Sequence, residues 1–341
     1  MRQLVTLRTV KELVEIEGAD RIELAKIDGW QCVVKKGDFQ VNDNGLFFEI
    51  DSLLPDDDPR FSFLEARKFR VRTMKLRGVL SQGLLMPMSI LTDDEAEELA
   101  MTGGRETDLT AFFRVQKYEP PLPTSGKQKG TFPTHLVPKT DQERIQNNIE
   151  ILEGRRLQDF EITEKLDGTS CTFFCTYTEG DEGVGVRLGA CSRNWEMEIS
   201  DPEEPGNVYA KLFWELGLPQ KMTGLRRSLA IQGEIIGPGV QGNKYKRGRQ
   251  EFYVFDIWDI DKREYLKEKE RDELTEQLDL YHVPRILAAS GPLGDIDPIL
   301  EFADGKSQLY DTIREGLVFK HREDTSLSFK VISNKFLLKE K

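Results

Sequence analysis

The chain is poor in the residues that build metal and disulfide scaffolds, with four cysteines and three histidines in 341 positions. Cys32, Cys171, Cys175 and Cys191 include no C-x-x-C pair. That excludes a zinc ribbon or a disulfide framework and fits a reducing compartment, the cytoplasm. His135, His282 and His321 are too scattered for a metal triad. No run of about 18 apolar residues occurs, so a membrane-spanning helix is excluded. The opening MRQLVTLRTVKELVEIEG lacks the apolar core of a secretory signal. Positive charge is also in deficit: 48 Lys and Arg against 60 Asp and Glu leave a net charge of −12. Non-specific attraction to nucleic acid is therefore disfavoured, although local basic patches can still bind phosphate.

Two such patches stand out. Arg67, Lys68, Arg70, Arg72, Lys75 and Arg77 crowd into 67–77, and Lys244, Lys246, Arg247 and Arg249 into 244–249. From charge alone, a solvated strand or loop explains each run as well as a phosphate-binding surface does.

The length suggests two domains. Residues 1–116 read as short strands bounded by Gly, Asn and Asp, as in WQCVVKKGDF and NGLFFEIDSLL, and predict an all-β OB-type barrel. FRVRTMKLRGVL alternates so that arginines occupy the exposed face of one strand. A helix is expected over 92–101, capped by Thr92 or Asp93 and stopped by Gly103. Residues 117–138 hold five prolines and read as a linker. Residues 139–341 read as an α+β domain on antiparallel sheet. KTDQERIQNNIEIL predicts a capped helix starting at Thr140 or Asp141. Strands are expected at 158–165, 170–178, 185–192, 229–236, 251–258, 315–320 and 327–332, and helices near 206–217, 266–280 and 304–314.

In FEITEKLDGTS, alternation sets Phe160 and Ile162 against Glu161, Thr163 and Lys165. Lys165 thus ends a strand with its amine away from the apolar side. An amine nucleophile must shed its proton near neutral pH, which takes nearby cationic charge, a metal or desolvation. K-x-D-G alone is a weak signal, and a lone lysine there is by default a surface strand end. Each later strand, however, also sets a charged group opposite its apolar residues: Arg193 in CSRNWE, Glu234 in AIQGEIIGPG, Glu315 and Lys320 in EGLVFK, and Lys330 in SLSFKVISNK. EFYVFDIW is apolar on both parities and reads as a buried strand.

Taken in order, KLDG, SRN, GEIIG, FYVFDI, EGLVFK and SFK resemble the six motifs of covalent nucleotidyltransferases, the superfamily of ATP-dependent ligases and mRNA capping enzymes. With PKTDQERIQN upstream, the wording is similar to RNA ligases that seal 3′-OH/5′-phosphate breaks, in particular the Deinococcus and Naegleria branch with its N-terminal OB domain. The resemblance implies an ATP-grasp-like α+β ligase core behind the barrel, and an RNA partner with 3′-OH and 5′-phosphate ends, such as a nicked duplex. It also implies ATP with Mg²⁺ or Mn²⁺, and action as a monomer. By the same resemblance, Lys165 attacks the α-phosphorus of ATP, Asp167 contacts ribose or the water shell of the metal, and Glu164 holds the adenine edge. Arg193 holds nucleotide or the RNA 5′-phosphate, and Glu234 and Glu315 organise the metal and its waters. Phe252 stacks on adenine, Lys330 contacts the α-phosphate and Arg144 the γ-phosphate. Arg70, Arg72, Lys75, Lys244 and Lys246 are the expected RNA contacts.

The last motif departs from the K-x-K of related RNA ligases, because Ile332 follows Val331 after Lys330; Lys335 is the candidate for the second charge. The 11 residues beyond Lys330 leave no room for the C-terminal OB domain of DNA ligases and capping enzymes, which counts against both. An RNA-binding protein with a decayed catalytic domain is the non-enzymatic alternative, and the presence of every motif charge speaks against it.

Overall fold

The structure, a computed structural model, describes residues 2–102, 108–119, 128–180, 183–199 and 202–339. They divide into one unit of Met1–Leu122 with Leu337–Lys341, and another of Pro123–Phe336. Gly103 and residues 120–127 of the expected linker lie outside the described residues. Among the described residues no helix is long and apolar enough to cross a membrane.

The first unit is built of β1 (Val5–Thr9), β2 (Glu12–Glu15), β3 (Ile22–Ile27), β4 (Trp30–Lys35), β5 (Asn44–Phe48), β6 (Ser52–Leu53), β7 (Met74–Leu76), β8 (Val79–Ser81), β9 (Leu84–Pro87) and β10 (Gln116–Lys117). All pairings are antiparallel: β1-β5-β9, β2-β3-β4, β7-β8 and β10-β6. β5 lies at the centre and is buried on both faces. Phe47 packs with Trp30, Ile27 and Cys32, while Phe48 packs with Phe61 and Phe113. Successive strand side chains point to opposite faces, so two adjacent phenylalanines supply two cores. Trp30 is 1% exposed, which makes it a core residue. Helix α1 (Asp93–Thr102) starts as expected at Thr92, with a reciprocal cap: the Glu95 amide donates to Thr92 Oγ1 and the Thr92 amide to the Glu95 carboxylate.

The basic stretch is not one strand. Arg70 makes an isolated bridge to Leu53, and β7 and β8 form a hairpin closed by Arg77 and Gly78, both at positive φ. Two such residues make the turn whose twist suits a two-residue hairpin.

The second unit contains β11 (Gln128–Thr131), β12 (Phe160–Lys165), β13 (Thr169–Gly180), β14 (Gly183–Cys191), β15 (Trp195–Met197), helices α2 (Val208–Glu215) and α3 (Leu218–Leu225), β16 (Leu229–Ile236), β17 (Glu251–Asp259), β18 (Glu264–Tyr265), α4 (Glu268–Gln277), β19 (Tyr281–His282), α5 (Ile296–Ala303), β20 (Gly316–His321), β21 (Ser328–Ile332) and α6 (Asn334–Lys339), the last running past the unit's end. The large sheet runs β11-β15-β14-β13-β16-β17-β18, with β19 parallel to β17; β12-β20-β21 form a small antiparallel sheet. Helices α2, α3 and α4 cover one face of the large sheet, burying Phe173, Phe213, Ile231 and Phe252 between them. Part of the expected linker thus belongs to the sheet, since β11 pairs with β15 and Phe132 and Val137 are buried.

Two expected helices are absent. KTDQERIQNNIEIL forms single 3₁₀ turns at Ile145–Asn147 and Ile149–Leu152, because residues 143–144 are drawn against β21, where the Lys330 amide donates to the Glu143 carbonyl at 2.8 Å. The helix expected at 304–314 lies earlier, as α5. Arg314 folds back to donate to the Ala303 and Phe302 carbonyls, satisfying the end of α5.

Candidate active site

The two sheets of the second unit enclose a cavity of about 370 Å³. Its wall includes Glu164 and Lys165 from β12, Asp167 and Gly168 from the turn after it, Thr169 and Ser170 from β13, Glu234 from β16, Phe255 from β17 and Lys330 from β21. Glu315, Lys320, Val283 and Arg193 also line it.

Register brings the charges together. Lys165 pairs with Gly316 across β12 and β20, which sets Glu315 beside it although 150 residues separate them. The Lys165 ammonium lies 2.7 Å from Glu315 Oε1 and donates to Oε2 at 2.8 Å. Burial works to lower the Lys165 pKa, but Glu315, Glu234 and Asp167 outweigh it and hold the amine above its ordinary value. Burial pushes the Glu234 carboxyl up to about 8, with Lys165 opposing and Glu315 adding repulsion. Glu315 is likewise raised, first by burial, against the pull of Lys165.

The turn after Lys165 is clamped. The Gly168 amide donates to Glu234 Oε1 at 3.1 Å, and a Cβ on Gly168 would meet the Ile235 carbonyl at 2.2 Å, so only glycine fits this approach. The Asp167 amide donates to the Tyr245 hydroxyl at 2.7 Å, and the Asp167 carboxylate is ion-paired with Lys244. Lys244 also lies 4.4 Å from the centre of the Phe336 ring. Glu164 is 1% exposed; Oε2 accepts the Gln308 amide at 2.8 Å, while Oε1 is buried without a hydrogen-bond partner. Burial raises the Glu164 pKa, with Ser307 and Gln308 acting against it. Arg193 stands exposed at the rim, 2.6 Å from Asp141.

The aromatic wall is Phe255, and this corrects the expectation for Phe252. Between β16 and β17, Gln232 pairs with Asp256 and Gly233 with Val254, leaving Phe255 as a bulge. Phe252 and Val254 face the helices, at 2% and 0% exposure. Beyond the bulge the alternation reverses, so Phe255 and Asp256 both turn away from the helices. Lys320 holds them there, its ammonium donating to the Phe255 carbonyl at 2.5 Å and lying 2.7 Å from Asp256. Burial lowers the Lys320 pKa, with Asp256 acting against it. The sequence alone puts Lys320 on the EGLVFK strand, β20, and only the structure brings it to the cavity wall.

Two further expectations, for Lys335 and Arg70, need correction. Lys335 does not line the cavity; its ammonium lies 3.7 Å from Asp304 and its amide donates to the same carboxylate, as the first turn of α6 requires. Arg144 bridges Lys330 through its backbone, and its side chain is not part of the wall. Arg70 is a structural residue of the first unit, 2.5 Å from Asp51 and stacked 3.7 Å over the Tyr118 ring. Arg72 and Lys75 are exposed, as is Lys246. Asp167, Glu234 and Glu315 line one cavity, yet among the described residues no three His, Cys, Asp or Glu side chains form a ready-made metal cage. Such a donor set suits a divalent ion that keeps its waters.

Behind the cavity lies a buried charge network. Glu161 and Arg271, each 3% exposed, are 2.5 Å apart, and Arg285 donates to Glu161 at 2.8 Å. Burial would raise the Glu161 pKa, but Arg271, Lys320, His282 and Arg285 pull it down to about 2. His282 is pushed down to about 4 by burial and by Arg271 and Arg285, so it is neutral at pH 7.

Comparison with known proteins adds the following. A family model described as an OB-fold domain matches residues 4–88, and one described as RNA ligase matches residues 158–332. No curated protein matches the chain. Among solved structures, Naegleria gruberi RNA ligase with PPi is 41% identical with a TM-score of 0.78, covering 100% of this chain and 99% of that one. Point mutants of the same ligase, one with AMP and Mn and one with ATP and Mn, are 41% identical at TM-scores of 0.80 and 0.79, each covering 99% of both chains.

Proposed function

The chain belongs to the RNA ligase family, an OB-fold domain followed by a ligase domain, and from that premise we propose that it joins RNA 3′-OH and 5′-phosphate ends through a lysyl-AMP and an AMP-capped RNA. The observation that carries this reading is that Lys165 lines a cavity together with Glu164, Phe255, Lys330 and three carboxylates. Lys165 Nζ loses its proton and attacks the α-phosphorus of ATP; the N–P bond forms, the bond to the β-phosphate oxygen breaks, and pyrophosphate leaves. The AMP then passes to the RNA 5′-phosphate oxygen, freeing the lysine, and the 3′-OH displaces AMP to close the phosphodiester.

Each side chain has a task in that sequence. Glu164 Oε1, the unpartnered acceptor, receives the adenine amino group, and Phe255 takes the ring face. Lys330 offsets charge growing on the α-phosphate, and Arg193 is assigned to the nucleotide or the RNA 5′-phosphate. Arg144, bridged to Lys330 on β21, is assigned to the γ-phosphate. Asp167, Glu234 and Glu315 would hold a hydrated Mg²⁺ or Mn²⁺ together with phosphate oxygens. When bound, the ion neutralises phosphate charge and disfavours the ammonium form of Lys165. Four buried thiols fit a reducing cytoplasm, and the substrate is a nicked duplex handled by a monomer.

The test is incubation with ATP labelled at the α-phosphate and a divalent metal. Label that survives denaturation and is discharged by nicked RNA, but not by nicked DNA, supports the reading; GTP labelling instead would indicate capping. Tight RNA binding without ATP consumption would identify a binding protein.

The OB-fold domain serves the RNA. Arg72→Ala with Lys75→Ala weakens sealing of nicked RNA by about 10-fold at moderate salt and shallows the salt dependence by roughly two phosphate contacts, while adenylation proceeds. Titrating salt in both assays checks this, and equal loss of both steps removes the division of labour.

A further inference from the structure

Next to the cavity the large sheet carries an aromatic surface that adenylation does not use. β19 runs parallel to β17, with Tyr281 opposite Tyr253 and His282 opposite Val254. Tyr253 packs with Val283 and Phe255, both of which line the cavity, and Tyr281 stacks on Tyr253 with ring centres 5.4 Å apart and planes at 27°. Tyr281 thus continues the cavity's own face outward, and it is 54% exposed.

An isolated exposed aromatic is ordinary on a protein surface. Tyr281 differs in how it is held and in what surrounds it. The Tyr253 hydroxyl donates to Glu251 at 2.8 Å and accepts from Arg247 at 2.9 Å, which locks the ring beneath Tyr281. Arg247 belongs to the loop 237–250, whose Lys246 and Arg249 are exposed. The same loop is tied to the catalytic turn through Lys244 and Tyr245, both bound to Asp167. In a chain of net charge −12 these cations are a local exception. Aromatic faces interleaved with cations are how single nucleic-acid strands are held, because every base has a stackable face and every nucleotide a phosphate.

Resting on the RNA ligase reading above, we propose that Tyr281 is a base-stacking platform. A nucleotide beside the break stacks on its outer face while Lys246 and Arg249 hold the adjoining phosphates, leading the strand end to Lys165. The assignment commits the surface to RNA and not to a protein partner.

Full-length wild type, Tyr281→Ala, Tyr281→Leu and Tyr281→Trp are compared in label uptake from ATP, in sealing kinetics on nicked RNA, and in quenching of 2-aminopurine placed at successive positions around the break. The expected result is label uptake within about twofold in all four proteins. Tyr281→Ala and Tyr281→Leu raise KM for nicked RNA on the order of 10-fold, and Tyr281→Trp keeps the wild-type KM. Quenching occurs at one position and only with Tyr or Trp. Sealing by Tyr281→Ala equal to wild type overturns the proposal, as does a leucine variant that seals and binds like tyrosine. A parallel fall in label uptake, sealing and melting temperature overturns it too, since that marks a packing role. Absence of label or sealing in the wild type overturns the ligase reading itself and is thereby distinguished.

Discussion

Lys165→Ala, incubated with α-labelled ATP and a divalent metal, carries no label through denaturation, a loss on the order of 10⁴-fold or more. The size of the effect follows from covalent chemistry, because no other amine can reach the same phosphorus in the same geometry. Lys165 ends β12 with its ammonium 2.7 Å from Glu315, in the wall of the cavity between the two sheets. Lys330, the other lysine closest in role, enters from β21 and is tied by its backbone to Glu143. Lys165→Arg fails equally, since a guanidinium stays protonated at any working pH. A control separates lost chemistry from lost folding: RNA that already carries the 5′-AMP cap bypasses the first step, so Lys165→Ala seals it. Quantifying label on denaturing gels, alongside sealing of capped RNA, checks both halves. Label on Lys165→Ala removes the assignment of the nucleophile.

The second large effect is on stability. Arg271→Met lowers the stability of the ligase domain by about 3–5 kcal/mol, the usual cost of leaving a buried charge without its partner. Glu161 and Arg271 are each 3% exposed, and Asp256 lies 3.9 Å from the same guanidinium. Arg285 still donates to Glu161 Oε1 after the substitution but is shared with Asp272, Lys320 is engaged by Asp256, and Glu161 Oε2 loses its cation. At about 2–4 °C per kcal/mol for a domain of this size, the melting temperature falls by roughly 10 °C. The Glu161 carboxyl ordinarily titrates near 4.5 and is held at about 2 in the folded protein. A lowered carboxyl pKa stabilises above the unfolded value and loses that contribution as pH falls through the folded one. The gap between wild type and variant therefore narrows as the pH is taken from 7 down towards 2. Glu161→Gln added to Arg271→Met recovers part of the loss, because the stranded charge is gone. Melting curves of the three proteins across pH measure this, and an unchanged midpoint in Arg271→Met removes the argument.

Much of this protein is written along the chain. The order of KLDG, GEIIG, EGLVFK and SFK identified the family, the strands of the second half fell near their expected places, and alternation put Lys165, Glu234 and Lys330 away from the apolar faces. These features are legible because strand periodicity and a motif's wording are local. Tertiary structure decided the rest. Phe252 and Phe255 are indistinguishable in FYVFDI, and only the pairing of β17 with β16 creates the bulge that turns Phe255 and Asp256 to the cavity. Lys335 is a free-standing cation on paper, but Asp304, from the end of α5, claims it. Arg70 reads as one of six exposed charges until Asp51 and Tyr118 close on it. The helix expected after Thr140 is lost to β21, which captures the Glu143 carbonyl. In each case the deciding partner is distant in sequence. Burial and hydrogen bonding across strands outweigh local propensity, which is worth only tenths of a kcal/mol per residue.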